Sequence, residues 1–333
     1  MLKIKIKKNI NFGNCCLMIK NRKAIIVGIK STILSKKEKL FLNKYKPWGV
    51  ILFSRNLKKF KQIQKLITDI KSIFKDNKYP ILIDQEGGKI NRLNKLIDTS
   101  VLTAEFYGNL YKSDKKKFLN YYRVYINQIS YLLNELGINI NTVPVLDVRR
   151  SKSSNIIGDR SYSYNPKNVS KIGDFCIQEF SKGRIGTVIK HIPGHGLAKV
   201  DSHKFTPVIN NKVKYLFKND FAPFKNKKTF FAMTAHIIYK NIDPLNTATH
   251  SSKIIKLIRN KIGFKNIIIS DDISMSALKN SIKINTLKAF AAGCNLILHC
   301  NANYAEMRAV AENSPLVNNF IIKKTSQFYS FLS

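Results

Sequence analysis

A regular alternation of short apolar runs with amphipathic segments restricts the fold of this 333-residue chain more than any other feature. Each run is nearly continuous and rich in β-branched residues, which is typical of a parallel strand buried on both faces. Eight such runs occur, at residues 23–29, 48–53, 80–84, 139–147, 186–191, 230–236, 266–271 and 295–299. The pattern therefore predicts eight parallel strands.

The segments between these runs have the periodicity of helices that cover a sheet. After the second run, apolar residues recur at spacings of three and four and so form one face of a helix, at Phe60, Ile63, Ile67, Ile70 and Phe74. Similar patterns predict helices over 119–136, 169–180 and 254–262, the last with Ser251 and Ser252 as candidate N-caps. Eight alternating units predict an α/β fold, a single (β/α)8 barrel, and a doubly wound open sheet is the alternative.

The chain shows no internal repeat and no break in composition, so we expect one domain over residues 23–333. Residues 1–22 are rich in Lys and Asn without clear periodicity, and we expect a basic extension outside the fold. No apolar run approaches the roughly 20 residues of a membrane span or resembles a secretory signal. We therefore expect a cytoplasmic protein without a membrane partner. We separately expect a monomer.

The net charge of +38 would ordinarily suggest a nucleic-acid or anionic-membrane partner. Only ten of the 58 basic residues are arginine, however, and the lysines are scattered along nearly the whole chain. Phosphate and base recognition relies on arginine and on clustered basic patches. We therefore interpret the charge as a solvated surface and expect no specific nucleic-acid partner. The five cysteines have no metal-ligand spacing, and their odd number argues against a disulfide framework.

Polar side chains close most of the predicted strands, where an active site lies in a barrel of this kind. These strand-end residues are Asp84, Asp147, Lys190, His191, His236, Asp271 and His299. Polar groups at the end of an otherwise apolar strand are poorly suited to the core. The strand ends are therefore the candidate functional site.

The loop after the fifth strand contains a possible acid/base pair. It holds Asp201 and His203 two residues apart, and in such a dyad the carboxylate orients the imidazole. The same loop also holds His191 and His195, and three histidines with an aspartate resemble a metal cluster. Pro193 and the neighbouring glycines prevent a helical zinc motif, so we expect no metal.

Two further carboxylates have both a functional and a structural interpretation. Asp84 precedes two glycines and is suited to accept hydrogen bonds from ligand hydroxyls, or alternatively to stabilise a turn. Asp271 is suited to act as a nucleophile or a hydroxyl ligand, or alternatively as an N-cap for the next helix, a role that Asp272 or Ser274 could fill better. Arg92 and Arg160 are candidate ligand donors. No phosphate loop, serine elbow or dinucleotide motif occurs, which favours a cofactor-free hydrolase acting on a hydroxyl-rich ligand.

The segments that carry these residues resemble glycoside hydrolase family 3, and within it the single-domain bacterial β-N-acetylglucosaminidases of peptidoglycan recycling. The matching segments are 48–56 (WGVILFSRN), 83–88 (IDQEGG), 157–161 (IGDRS), 190–196 (KHIPGHG) with 201–203 (DSH), 233–236 (MTAH) and 270–275 (SDDISM). They occur in the family's order. After Arg92, residues 93–98 depart from the Pro-Pro-x-Trp stretch that the family often has.

The resemblance implies a retaining hydrolysis in which Asp271 attacks the anomeric carbon and forms a covalent glycosyl-enzyme. His203 would protonate the leaving oxygen and then activate water, and Asp201 would tune it. The residues implied to hold the N-acetylglucosamine hydroxyls are Asp84, Arg92, Arg160, Lys190 and His191. The implied substrates are small muropeptides containing 1,6-anhydro-N-acetylmuramic acid, hydrolysed in the cytoplasm without a metal or cofactor.

Two other functions remain alternatives. In a β-N-acetylglucosaminide phosphorylase, phosphate would replace water at the glycosyl-enzyme, and a histidine acid/base would not repel that anion. A non-catalytic barrel that binds polyanions would use the basic surface alone. Retention of Asp84, Asp201 and Asp271 among only 20 acidic residues argues against that second alternative.

Overall fold

The computed structural model describes residues 19–151, 157–202 and 204–333. Eight parallel strands close into a barrel in which each strand pairs with its neighbours in the chain and the first pairs with the last. The strands are β1 (Lys23–Gly28), β2 (Pro47–Leu52), β3 (Ile81–Ile83), β4 (Ile140–Asn141), β5 (Gly186–Ile192), β6 (Phe231–Thr234), β7 (Ile267–Asp272) and β8 (Leu296–His299). The predicted (β/α)8 barrel is confirmed, and closure excludes the open sheet.

Helices follow the strands and surround the barrel. They are α1 (Lys36–Tyr45), α2 (Phe60–Phe74), α3 (Ala104–Ser113), α4 (Lys115–Leu136), α5 (Pro166–Lys182), α6 (Val213–Lys218), α7 (Ser252–Leu257), α8 (Ile282–Ala292), α9 (Tyr304–Glu312) and α10 (Asn319–Phe331). The helices predicted from periodicity are all present. Ile258–Ile262 continues α7 as a π-helical turn, and the Ser251 hydroxyl caps α7 by accepting from the Ile254 N–H.

Local sequence signals fix where several helices begin and end. Ser35 and Glu38 form a reciprocal capping box at the start of α1. Asp114 accepts from the N–H groups of Lys116 and Lys117 at the start of α4. Gly137 ends α4 in the left-handed region, where the absence of a side chain avoids a steric penalty.

The fourth strand is shorter than the sequence predicts. A strand was expected over 139–147, but pairing is confined to Ile140–Asn141 with one further bridge between Val145 and Lys190. Pro144 has no N–H to donate to a neighbouring strand, so the ladder is interrupted there. The chain continues irregularly to Asp147, whose side chain is fully buried.

The core has two parts, one inside the barrel and one between the strands and the surrounding helices. Helix α10 packs against the interior part at the amino ends of the strands. Phe328 meets Phe231 edge-on at a ring-centroid distance of 5.2 Å, and the Trp48 indole donates to the Thr325 hydroxyl at 2.9 Å. The C-terminal helix therefore closes the end of the barrel opposite the candidate site.

The chain packs onto this fold before residue 23. Ile19 is fully buried, and the buried Arg22 guanidinium pairs with Asp76 at 2.6 Å and donates to the Tyr329 hydroxyl at 2.9 Å. The structure therefore differs from the expected extension at 19–22, since an arginine with two distant partners gave no periodic signal. The rest of that extension, residues 1–18, lies outside the described residues.

Two further features bear on the sequence analysis. Among the described cysteines, Cys176 and Cys294 are buried and Cys300 is half-buried, all as free thiols. No helix in the described ranges has both the length and the apolar character required to cross a membrane.

Candidate active site

One cavity at the carboxyl ends of the strands collects six of the eight predicted site residues. Its lining includes Asp84, Arg92, Arg160, Lys190, His191 and Asp271. These residues come from loops and strands far apart in the sequence, and they meet because the carboxyl ends of all eight parallel strands open on one face. The seventh, Asp201, is half-buried in the loop after β5. The eighth, His203, lies outside the described residues.

The sugar-binding candidates form a compact ion cluster. The Lys190 ammonium lies 3.0 Å from an Asp84 oxygen and 2.7 Å from a Glu86 oxygen. The Arg160 guanidinium donates two hydrogen bonds to the Glu86 carboxylate, at 2.8 and 2.9 Å. The Arg92 guanidinium lies 3.6 Å from an Asp84 oxygen. Two carboxylates therefore share three cations, and these ion pairs restrict the positions of all five side chains.

Electrostatics keep both of these carboxylates ionised. Burial by itself would raise the pKa of Asp84, but the charges of Lys190 and Arg92 hold it well below its usual range. Burial opposes ionisation of Glu86 as well, and the Arg160 and Lys190 charges lower its pKa to about 2. Both groups are therefore hydrogen-bond acceptors at neutral pH, suited to ligand hydroxyls.

Glu86 was not among the predicted site residues. It lies two residues after Asp84 in the segment that follows β3, where side chains two positions apart in extended chain lie on the same side. That spacing could have indicated it. Its contacts with Arg160 and Lys190 are a property of the tertiary structure.

Asp271, at the end of β7, is half-buried and ionised. Burial tends to raise its pKa, but the adjacent His191 and His236 side chains, the Asp272 N–H and the Lys190 charge lower it. One carboxylate oxygen accepts from the Asp272 N–H at 2.8 Å. Asp272 itself accepts from the N–H and hydroxyl of Ser274 and so stabilises the turn after β7. Neither Asp271 nor Asp272 is the N-cap that the structural interpretation expected, because the next helix, α8, is capped by Ser281.

A buried carboxylate, Asp147, holds the segment that carries His191. One Asp147 oxygen lies 2.7 Å from His191 Nδ1, and the other accepts from the His195 N–H at 2.6 Å. Burial would raise the pKa of Asp147, and the His191 and His195 side chains with the His195 N–H lower it. The sequence identified Asp147 as a strand-end residue but gave it no role. Its role is to fix the orientation of the His191 ring.

The two remaining strand-end histidines make hydrogen bonds with neighbouring protein groups outside the cavity. His236 bonds the Thr249 hydroxyl at 2.7 Å and the Asp272 carbonyl at 2.9 Å, and His299 pairs with Glu306 at 2.9 Å. Neither lines the cavity. Within the described ranges, no three His, Cys, Asp or Glu side chains are arranged to hold a metal ion.

The sequence profile described as "Glycosyl hydrolase family 3 N terminal domain" matches residues 20–326. The chain belongs to this family. The resemblance noted from the sequence is therefore confirmed, and the cavity occupies the family 3 barrel's carboxyl-terminal face.

Curated relatives that cover most of the chain are β-hexosaminidases. The chain is 31% identical over 287 residues to a β-hexosaminidase of Nitrosomonas eutropha, covering 83% of this chain and 80% of that protein. It is 30% identical over 258 residues to a β-hexosaminidase of Aromatoleum aromaticum, covering 76% and 72%. Family membership and these relatives support a glycoside hydrolase acting as a β-N-acetylhexosaminidase.

Solved structures show the same architecture. NagZ from Neisseria gonorrhoeae superposes with a TM-score of 0.83 at 25% identity, covering 94% of this chain and 90% of that one. A family 3 β-N-acetylglucosaminidase from Paenibacillus sp. also gives 0.83 at 25% identity, but the chain spans only 62% of that protein. The N. gonorrhoeae enzyme has also been solved in complex with N-trifluoroacetyl-D-glucosamine.

Proposed function

We propose that this family 3 member is a retaining β-N-acetylglucosaminidase that removes terminal β-linked N-acetylglucosamine from muropeptides containing 1,6-anhydro-N-acetylmuramic acid. The observation that carries the proposal is the meeting of Asp271 with the Asp84–Glu86–Lys190–Arg160 cluster in one cavity. An ionised carboxylate beside a set of fixed hydroxyl-binding groups is what a glycosidase needs at the anomeric carbon. The β-hexosaminidase relatives and the glucosamine-derivative complex support the same class of sugar.

In the first step, the Asp271 carboxylate attacks the anomeric carbon and the bond to the leaving oxygen breaks. His203 donates its proton to that oxygen, so the aglycone leaves as a neutral alcohol and the sugar remains as an ester on Asp271. A lowered pKa suits the nucleophile because the carboxylate must be ionised before it attacks.

In the second step, neutral His203 accepts a proton from water as the oxygen of that water attacks the anomeric carbon. The ester bond to Asp271 breaks, and the sugar leaves with its β-configuration retained. The negative charge of Asp201 favours the protonated form of the His203 imidazole. A histidine replaces the second carboxylate of the usual retaining pair.

Sugar orientation comes from the ion cluster. We assign the hydroxyl contacts to Asp84, Arg92, Arg160, Lys190 and His191. Asp84 accepts, while the two arginines and Lys190 donate, and Asp147 holds His191 in place. Glu86 acts by positioning Arg160 and Lys190. Groups held by buried ion pairs lose little freedom when the sugar binds.

We further propose a monomer that acts in the cytoplasm on a small-molecule substrate. No metal, cofactor, membrane or specific nucleic-acid partner has a role in this mechanism.

The first experiment measures chromophore release from an aryl β-N-acetylglucosaminide, with a chelator present and phosphate absent. Turnover by the wild type and none by Asp271→Ala, with the variant folded by circular dichroism, is the expected result. Turnover by Asp271→Ala would remove that residue from the nucleophile role. Activity only after phosphate is added, with sugar 1-phosphate as product, would instead identify a phosphorylase.

A further inference from the structure

The loop after β5 contains a hydrogen bond that no step of the proposed mechanism uses. It joins His195 Nε2 and the Ser202 hydroxyl at 3.1 Å, and both residues line the cavity. Both residues are buried, since His195 is only 3% exposed and Ser202 only 4% exposed. A polar contact this well shielded from water is a specific feature of the loop rather than a surface contact.

The beginning of this loop is fixed by several independent contacts. The His195 N–H donates to Asp147 at 2.6 Å, and Tyr239 donates its hydroxyl proton to the Gly194 carbonyl. At Gly196 the loop approaches the Val148 carbonyl so closely that a Cβ would lie 2.0 Å from that oxygen. The backbone of His195 is therefore anchored to the barrel, which restricts the position of its imidazole ring.

The remainder of the loop is far more exposed. Lys199, Val200 and Phe205 are all exposed, the Phe205 side chain to 63%. Ser202 is buried among them, and its hydroxyl reaches back across the loop to the anchored His195 ring. Further along the chain, the Thr206 hydroxyl donates to the Ala277 carbonyl, in the segment after β7, at 2.7 Å.

We propose that Asp147, His195 and Ser202 form a positioning chain that sets the acid/base group of the reaction. The proposal rests on the proposed function, in which the residue that directly follows Ser202 in the sequence, His203, is that group. Asp147 fixes His195, and His195 fixes Ser202. His195 and Ser202 are thus positioning residues, and among the described hydrogen bonds neither side chain bonds Asp271.

The protonation state of His195 suits a structural contact of this kind. Burial and the adjacent His191 lower the pKa of His195 to about 4, so its ring is neutral at working pH. Its Nδ1 is buried without a hydrogen-bond partner in the described chain, so Nε2 makes the ring's hydrogen bond. A ring with this pKa is poorly suited to exchange protons during the reaction, and its contact with Ser202 is unchanged across the neutral range.

The test compares Ser202→Ala with wild type on aryl N-acetylglucosaminides whose leaving groups range from dinitrophenol to phenol. A misplaced acid slows only those substrates whose leaving oxygen needs a proton. We expect kcat/KM to fall roughly five- to tenfold for the phenyl substrate, the size of effect that loss of one hydrogen bond gives, and less than about twofold for the dinitrophenyl substrate. An equal loss on both substrates, or no loss on either, would overturn the proposal.

A matched control variant and substitutions at a second position distinguish loss of the His195–Ser202 contact from a general loss of structure. Ser130→Ala removes another buried serine hydroxyl, on α4 and away from the cavity, and should leave kcat/KM unchanged for every leaving group. His195→Leu should reproduce the Ser202→Ala pattern. His195→Gln should recover part of the loss, because its amide can still meet the serine hydroxyl. Equal behaviour of the Leu and Gln variants would argue against the contact.

Combining Ser202→Ala with His203→Ala separates this proposal from the proposed function. If His203 is the acid, His203→Ala alone depresses the phenyl substrate, and adding Ser202→Ala produces no further selective loss. A further selective loss in the double variant, beyond that of His203→Ala alone, would overturn the positioning chain while leaving the acid assignment intact. If His203→Ala shows no leaving-group dependence, then the acid assignment itself fails, and the positioning chain fails with it.

Discussion

At the scale of single residues, the candidate site depends on charges that compensate each other in a confined space. Glu86 is almost buried, and it is neutralised by two bonds from Arg160 and one contact from Lys190. Removing one partner of a buried pair leaves the other charge without compensation, which costs more than the pair itself contributes. Glu86 is therefore the residue at which binding geometry and stability are most closely linked.

Glu86→Gln should destabilise the fold by about 2–4 kcal/mol at neutral pH, because it leaves Arg160 and Lys190 without a full counter-charge. Urea unfolding measures the effect, and KM for an aryl N-acetylglucosaminide should rise as well. Asp69→Asn is the matched control, since the Lys65–Asp69 pair is exposed. That substitution should change stability by less than about 0.5 kcal/mol. Equal effects of the two substitutions would contradict this account of Glu86.

The same residue predicts a pH dependence. The folded-state pKa of Glu86 is about 2, below its ordinary value of 4.5, so its contribution to stability is complete above about pH 4.5. The contribution is lost as the pH falls from there towards 2. Wild type should therefore lose more unfolding free energy than Glu86→Gln between pH 5 and pH 3. Parallel stability curves for the two proteins would rule out an ionised Glu86.

At the scale of elements, α10 is the part of the fold that links the two ends of the chain. Its Phe328 and Thr325 contact the barrel interior, and its Tyr329 hydroxyl bonds Arg22 and Asp76. These contacts lie at the amino ends of the strands, whereas the cavity lies at the carboxyl ends. Stability and chemistry are therefore separated along the barrel axis.

Phe328→Ala should cost about 3–5 kcal/mol of unfolding free energy, because it leaves a void among buried aromatic rings. The folded fraction should keep its kcat/KM, because Phe328 packs against Phe231 and Gly186 at the amino ends of the strands, whereas the cavity lies at the carboxyl ends. Phe331→Ala, at a half-buried ring of the same helix, should cost clearly less. Denaturant titration alongside the activity assay checks both statements. A fall in kcat/KM that exceeded the unfolded fraction would show that the two ends of the barrel are coupled.

At the scale of the whole molecule, the charge of the surface and the charge of the site are separate properties. The net charge is +38, yet only Lys190 and Lys227 are buried among the described lysines. Lys190 and its neighbours are balanced by carboxylates within the cavity. The excess charge therefore surrounds the protein as a long-range field rather than acting on the sugar directly.

This field predicts a salt effect that depends on the substrate. The kcat/KM for an anionic muropeptide should fall as salt is raised from about 0.01 M to 0.15 M, because the screening length shortens from about 30 Å to 8 Å. The value for a neutral aryl N-acetylglucosaminide should change much less. The ratio of the two rates across a salt series gives the result directly, and an equal fall for both substrates would place the effect inside the site.

The sequence by itself determined the architecture and most of the cavity. Strand and helix periodicities are local, and parallel strands bring their carboxyl ends together. The sequence pattern therefore predicts that Asp84, Lys190, His191 and Asp271 lie in one place. The roles of these four residues, like those of Asp201 and His203, remain predictions. The local signal failed at Pro144 in the fourth strand, where the pairing stops short, and at residues 19–22, whose packing depends on distant partners.

Tertiary structure alone decided which groups are paired. The contacts between Glu86 and Arg160, between Asp147 and His195, and between Arg22 and Tyr329 join residues 74, 48 and 307 positions apart. No periodicity links such residues, because an ion pair or hydrogen bond depends on distances of a few ångströms that appear only after the barrel closes. The polar residues at the strand ends predicted where the active site lies. Closure of the barrel determined which side chains contact and orient the site residues.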